Sequence, residues 1–103
     1  MRWNKQLYVG ESIRLKKWVQ YQIKYGNKKK NYYCITLPLE ENALLDIYES
    51  RFLKTDTIDT GSLYVVGIAS DKYEAFEVVK NIIEDVYIHT HGFDVASYLN
   101  IHL

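Results

Sequence analysis

The chain has 103 residues, of which 48% are hydrophobic and 25% charged, with one cysteine and a formal net charge of zero. The composition is typical of a soluble globular protein, and the single cysteine excludes an intrachain disulfide. The zero hides a division: residues 1–37 carry nine basic residues and one acid, a net of +8, whereas residues 38–103 carry four and twelve, a net of −8. We expect a cytoplasmic, single-domain protein over residues 1–103, with no membrane segment and a strong dipolar field.

Two strands are predicted in the basic third of the chain. Residues 19–25 alternate apolar or aromatic with polar side chains, as half-buried strands do, and residues 32–37 are rich in β-branched and aromatic side chains. The polar segment 26–31 between them favours a turn, which predicts a hairpin with three lysines at its tip. An alternative in which part of 12–25 is helical stays open. It rests on four apolar residues that would share one side of a helix: Leu15, Trp18, Val19 and Ile23.

A helix and a central strand are predicted next. Pro38 ends the second strand, and apolar side chains at helical spacing predict a helix over residues 41–53. The almost continuously apolar run 63–69 is typical of a strand buried on both faces.

A long second helix follows that strand. Asp71 and Glu74 form a capping box at its start, and Gly92 is predicted to end it in the left-handed conformation. The short tail that follows is expected to fold back on the core. Five residues define the predicted buried face of this helix: Phe76, Val79, Ile82, Ile83 and Val86.

This order of strand, strand, helix, strand, helix predicts an α+β fold with a small three-stranded mixed sheet and two main helices packed on it. The strand–helix–strand unit favours parallel pairing through a right-handed crossover. The basic residues then lie on the hairpin and the acidic ones on the helices.

A basic, tyrosine-rich surface is the first candidate site. Nucleic-acid-binding proteins combine lysines that neutralise phosphates with rings that stack on bases. The competing interpretation is a solvated turn whose lysines protect an edge strand from association. The candidate residues are Lys16, Lys17, Lys24, Lys28, Lys29, Lys30, Tyr32 and Tyr33.

The histidines near the end of the long helix are the second candidate. Asp85 and His89 are four residues apart and share a helix face, and His91 follows closely. Three or four converging ligands are usual for a transition metal, so a helix-end histidine bonded to Asp85 is the preferred interpretation. No cofactor is predicted, and Cys34 is expected to be a buried hydrophobic residue.

Several short strings in the chain resemble a family of small, single-domain bacterial proteins of unknown function and about this length. The resemblance implies a free-standing bacterial cytoplasmic protein whose tail belongs to the domain, and it implies no activity, ligand or catalytic residue. The strings that carry it are Ile35-Thr36-Leu37, Leu44-Leu45-Asp46-Ile47-Tyr48, Val65-Val66-Gly67-Ile68-Ala69, Glu84-Asp85-Val86-Tyr87, Gly92-Phe93-Asp94-Val95 and Tyr98-Leu99.

Three functions follow from these observations. The leading hypothesis is a binding or regulatory module whose polarised surface engages a protein partner or a second copy, giving a homo-oligomer. The alternative is nucleic-acid binding by the hairpin. An enzyme with a histidine-based site at the end of the long helix is the second alternative, although the sequence favours a protein that is not an enzyme.

Overall fold

The computed structural model describes residues 1–25, 30–40, 42–53 and 60–100. Within these ranges the chain is α+β, with a four-stranded mixed sheet in the order β1-β4-β2-β3. No helix of the described residues is long and apolar enough to cross a membrane. The elements are β1 (Arg2–Val9), α1 (Lys16–Tyr25), β2 (Tyr33–Thr36), β3 (Asp46–Glu49), β4 (Tyr64–Ala69), α2 (Lys72–Thr90) and α3 (Val95–Tyr98).

The sheet has one parallel and two antiparallel pairs. β1 lies parallel to β4, β4 antiparallel to β2, and β2 antiparallel to β3. The α+β class is confirmed, but the prediction of three strands is wrong. The predicted parallel pairing across a strand–helix–strand unit is also wrong, because β3 stands where that helix was expected and the parallel partner of β4 is β1.

Helices cover both faces of the sheet, so the core has two halves. On one face, α2 and α3 pack through Ile82, Val86 and Val95 against Ile35 and Val66 of the sheet. On the other face, the core consists of residues from α1, the central strands and the neighbouring loops: Val19, Ile23, Tyr32, Cys34, Leu53, Leu63, Val65 and Ile68. Burial on both faces explains the continuous apolar run of β4, as predicted.

Residues 19–25 belong to α1, so the predicted strand there is wrong and the helical alternative is confirmed. Val19 and Ile23 are buried and stand one helical turn apart, whereas Tyr21 and Tyr25 are exposed. The alternation in the sequence combines exposed tyrosines with buried aliphatic residues, so it does not correspond to one buried face. The hairpin therefore does not exist.

The helix predicted over 41–53 is replaced by β3 and a short 3-10 turn, Ser50–Phe52. Ile47 packs against the core on the α2 face of the sheet and Tyr48 against the core on the α1 face. Adjacent residues that serve opposite faces are characteristic of a strand, and the neighbouring β2 supplies its hydrogen-bonding partner. The helical spacing of the apolar residues in this segment was coincidental.

The long helix α2 is confirmed, with its cap. The Asp71 carboxylate accepts a hydrogen bond of 2.8 Å from the Glu74 backbone N–H. Ile82 and Val86 of the predicted buried face are buried, but in the first half of the helix Phe76 is half exposed and Ala75 and Val78 are buried instead. The left-handed residue at the end of α2 is His91, with φ 56°, and not Gly92.

No element was predicted for the residues of β1. The pairing of β1 with β4 is strongly irregular. Trp3 pairs with Val65 and Tyr8 pairs with Gly67, so four residues of β1 stand where β4 has one. The same residue of β4, Val66, is also extra relative to β2. Residues 4–7 therefore leave the regular ladder at this edge of the sheet.

Candidate functional site

Helix α1 is attached to the sheet by a narrow stripe of contacts. Val19 and Ile23 are its two buried residues, with 6% and 3% of their surface exposed. On the flank of that stripe, the Tyr32 hydroxyl donates a 2.6 Å hydrogen bond to the Gln22 side-chain oxygen. The opposite side of the helix is therefore left to solvent.

Three exposed aromatic side chains run along that outer side, and we call them the aromatic ladder: Trp18, Tyr21 and Tyr25. Their exposed fractions are 55%, 55% and 68%. The Trp18 and Tyr21 rings are nearly parallel, at 9° and 5.7 Å between centroids, and the Tyr21 and Tyr25 centroids are 4.8 Å apart. Large rings that contact one another and are more than half exposed form a continuous surface for a ligand.

A row of lysines lies beside the aromatic ladder. Successive residues of a helix are about 100° apart around its axis, which places Lys17 and Lys24 together on the flank of the ladder. Lys16 lies further round towards the sheet, and all three lysines are exposed. Helix α1 contains no acid, so all of its charged side chains are basic.

The structure separates the predicted nucleic-acid-binding residues. Lys16, Lys17 and Lys24 lie together on α1, while Lys28 and Lys29 lie outside the described residues. Lys30 is exposed, and its ammonium group is 5.3 Å from the centroid of the Tyr32 ring.

The two tyrosines of the predicted set do not join the lysines of α1. Tyr32 is only 4% exposed and its hydroxyl is bound to Gln22. Tyr33 is half-buried on β2, and its hydroxyl contacts the Glu49 carboxylate at 3.3 Å. The accessible rings are instead those of the aromatic ladder, whose signal was present in the sequence as aromatic residues spaced three and four apart.

The histidine candidates are held by other partners. The Asp85 carboxylate accepts a 2.7 Å hydrogen bond from the Tyr8 hydroxyl, and His89 Nδ1 lies 2.7 Å from the Asp85 carbonyl oxygen. His89 is therefore a helix-end histidine bonded to Asp85, as preferred, and the bond is made to the backbone carbonyl of Asp85 and not to its carboxylate. His91 forms the C-cap. Among the described residues, no group of three His, Cys, Asp or Glu side chains could hold a metal ion.

Cys34 is fully buried in the core on the α1 face of the sheet. Burial raises the pKa of its thiol to about 12, because the thiolate would lose its hydration. At neutral pH the thiol is therefore protonated and inaccessible, which suits a small core residue and not a nucleophile.

No protein-family model matches the chain, and neither does any curated protein or any solved structure. The resemblance to a bacterial family therefore stays a prediction. Inferences about function rest on the surface chemistry of the described residues.

Proposed function

We propose that this protein binds single-stranded nucleic acid through the outer side of α1. The observation that carries the proposal is the aromatic ladder with its flanking row of lysines, exposed on one helix that has no acid. Aromatic rings stack on bases of any sequence, and lysines neutralise the phosphates that connect them. Both components are needed for a single strand, and α1 presents them side by side.

The dimensions of the ladder suit a short stretch of bases. Trp18 and Tyr25 are seven residues apart, which corresponds to about 10.5 Å along the helix axis. Stacked bases rise about 3.4 Å per nucleotide along one strand, so the ladder matches about three bases. Lys17 and Lys24 have the same separation and lie to one side, where the phosphates of a strand stacked on the rings would run.

A single strand is favoured over a duplex because the rings would stack on the faces of unpaired bases. In a duplex the faces of the bases are covered by their neighbours, so aromatic side chains can reach them only at an end or a distortion. A duplex would engage the lysines alone and leave the aromatic ladder in water. The exposed rings therefore favour unpaired bases.

The charge of the two helical layers favours approach from the α1 side. Helix α2, on the opposite face of the sheet, carries Glu74, Glu77, Glu84 and Asp85 against Lys72 and Lys80. A polyanion is repelled by that layer and attracted to α1. The difference in charge between α1 and α2 thus supports approach of a polyanion from the α1 side.

The test is a titration of the protein with labelled single-stranded and double-stranded oligonucleotides at low and moderate salt, read by fluorescence anisotropy. We expect single strands to bind more tightly than duplexes and binding to weaken steeply with salt. The variant K17E/K24E should reduce affinity for a single strand at least tenfold. The matched control K72E/K80E makes the same change of charge on exposed lysines of α2 and should reduce affinity far less.

The contribution of the rings is tested separately. Tyr21→Ala removes the central ring, and we expect a loss of about 1–3 kcal/mol in binding, as is typical of a stacked base. An acidic protein partner or a second copy would also suit a basic aromatic surface. No oligonucleotide binding at low salt, together with an oligomeric state that K17E/K24E changes, would replace nucleic acid with such a partner.

A further inference from the structure

A second candidate site lies on the other face of the sheet, in a cleft between β1 and the α2–α3 layer. We call it the tyrosine cleft, because Tyr8, Tyr64 and Tyr98 line it together with Lys5, Gln6 and Asn100. Its volume is about 680 Å³. Small-molecule sites in proteins usually measure about 300–1,000 Å³, so the cleft is large enough for one ligand.

This cleft forms where β1 leaves its regular pairing with β4. Between Trp3 and Tyr8 the strand leaves its register with β4, and residues 4–7 form one wall of the cleft. Irregularities of this kind sacrifice backbone pairing, and they are frequent next to binding and active sites. Tyr98 and Asn100, at the end of α3, form the opposite wall.

Two of the three tyrosines donate hydrogen bonds from their hydroxyl groups. Tyr8 donates to the Asp85 carboxylate at 2.7 Å, and Tyr64 donates to the Asn4 side-chain oxygen at 3.3 Å. The Tyr98 hydroxyl lies 3.3 Å from His89 Nδ1. Rings held in this way lose little conformational entropy when a ligand packs against them.

The remaining groups at the cleft narrow the class of ligand. Gln6 and Asn100 bring primary amides, whose paired donor and acceptor match the edge of a nitrogen heterocycle. The charges at the cleft are positive: Lys5 lines it, and the Arg2 guanidinium lies 5.6 Å from the centroid of the Tyr64 ring. Among the described residues that line the cleft there is no carboxylate, and the Asp85 carboxylate is bound to the Tyr8 hydroxyl.

We infer that the tyrosine cleft binds a planar nitrogen heterocycle that carries an anionic group, of which a mononucleotide is the simplest example. The ring stacks on tyrosine, the amides pair with its polar edge, and Lys5 neutralises the phosphate. This inference does not rest on the nucleic-acid proposal. The cleft and the aromatic ladder lie on opposite faces of the sheet and share no residue.

The experiment uses AMP, GMP, CMP and UMP as probes, with the matching nucleosides and ribose 5-phosphate as fragments, and follows the amide resonances of the labelled protein by NMR. We expect at least one nucleotide to bind saturably and to shift residues around Tyr8, Tyr64 and Tyr98. Lys5→Glu lies on an exposed side chain and should weaken the nucleotide about fivefold or more while leaving the nucleoside unchanged. Ribose 5-phosphate alone should bind more weakly than the nucleotide.

Two variants of Tyr98 distinguish the contribution of its ring to binding from that of its hydroxyl group. Tyr98→Ala should abolish most of the binding, whereas Tyr98→Phe keeps the ring and should retain affinity within a few-fold. K17E/K24E on α1 should leave the nucleotide-induced shifts around Tyr8, Tyr64 and Tyr98 unchanged. The inference is overturned if no nucleotide shifts any resonance at millimolar concentration, or if the shifts map to α1 and disappear in K17E/K24E.

Discussion

Ser12 and Glu74 lie 62 residues apart in the chain and are joined by two hydrogen bonds. The Ser12 backbone N–H donates to Glu74 Oε2 at 3.1 Å, and the Ser12 hydroxyl donates to Oε1 at 2.9 Å. The Ser70 backbone N–H donates to the same Oε1 at 3.0 Å. One carboxylate of α2 thus connects the segment after β1 to the turn between β4 and α2.

We expect Glu74→Gln to destabilise the protein by about 1–2 kcal/mol at neutral pH, because an amide replaces one acceptor oxygen and removes the charge from several hydrogen bonds. Urea denaturation measures the change. Glu77→Gln, on the exposed side of the same helix, is the control and should change stability by less than about 0.5 kcal/mol.

The same carboxylate predicts a pH dependence. Burial alone would raise the pKa of Glu74, but the hydrogen bonds from Ser70 and Ser12 outweigh it and hold that pKa below its usual value of 4.5. The stabilisation is therefore present above pH 4.5 and is lost as the pH falls through the folded-state pKa. The difference between wild type and Glu74→Gln should shrink as the pH falls below 4.5, and a constant difference would contradict this account.

Gly10 is predicted to be intolerant of a side chain because it faces the Glu74 carboxylate. A Cβ at Gly10 would lie 1.9 Å from Glu74 Oε1, so the carboxylate would have to move and release its partners. Gly10→Ala should therefore destabilise by about 1–3 kcal/mol. In Gly10→Ala/Glu74→Ala the two effects should be less than additive in urea denaturation, since the second change finds the bonds already lost. Full additivity would show that Gly10 acts independently of Glu74.

Tyr8 is predicted to limit stability at alkaline pH. Burial and the neighbouring Asp85 carboxylate raise the pKa of Tyr8 well above its usual 10.0, since both disfavour the phenolate. The folded state therefore holds this proton more tightly than the unfolded state, and its stabilisation is lost as the pH rises above 10. Urea denaturation between pH 8 and 11 should show a steeper decline for wild type than for Tyr8→Phe, and equal slopes would count against the prediction.

Mutations on the two sides of α1 should change the stability of the protein to very different extents. Ile23→Ala removes one of the two buried anchors and should destabilise by about 2–4 kcal/mol. Tyr21→Ala removes an exposed ring and should change stability by less than about 1 kcal/mol. Thermal and urea unfolding of the two variants give the comparison, and a large loss of stability in Tyr21→Ala would assign the aromatic ladder to folding instead of binding.

The sequence was most informative where local pattern and tertiary burial agree. The apolar run of β4 and the cap formed by Asp71 and Glu74 are both confirmed. It was misleading in residues 19–25 and 41–53, where short segments have an apolar spacing compatible with either helix or strand. In these segments the choice between helix and strand depended on the tertiary partner, as β2 provides for β3.

Strand β1 and the tyrosine cleft could not be predicted for a different reason. The first half of β1 and its middle are rich in charged and amide side chains without a regular alternation, and its partner β4 lies far away in the chain. The cleft brings Tyr8, Tyr64 and Tyr98 together from three distant positions, and no local spacing encodes that meeting. The residues of the aromatic ladder, by contrast, are neighbours in sequence, and their basic and aromatic character was visible from the start.

The parallel pairing of β1 with β4 has a consequence for the order of folding. The partner of Arg2 is Tyr64, 62 residues later, so β1 has no hydrogen-bonding partner until β4 has been synthesised. The β2–β3 pair closes a much shorter loop and can form earlier. We expect β1 to join the sheet late, which makes this edge the slowest to be protected from hydrogen exchange during refolding and the one most exposed to association between incomplete chains.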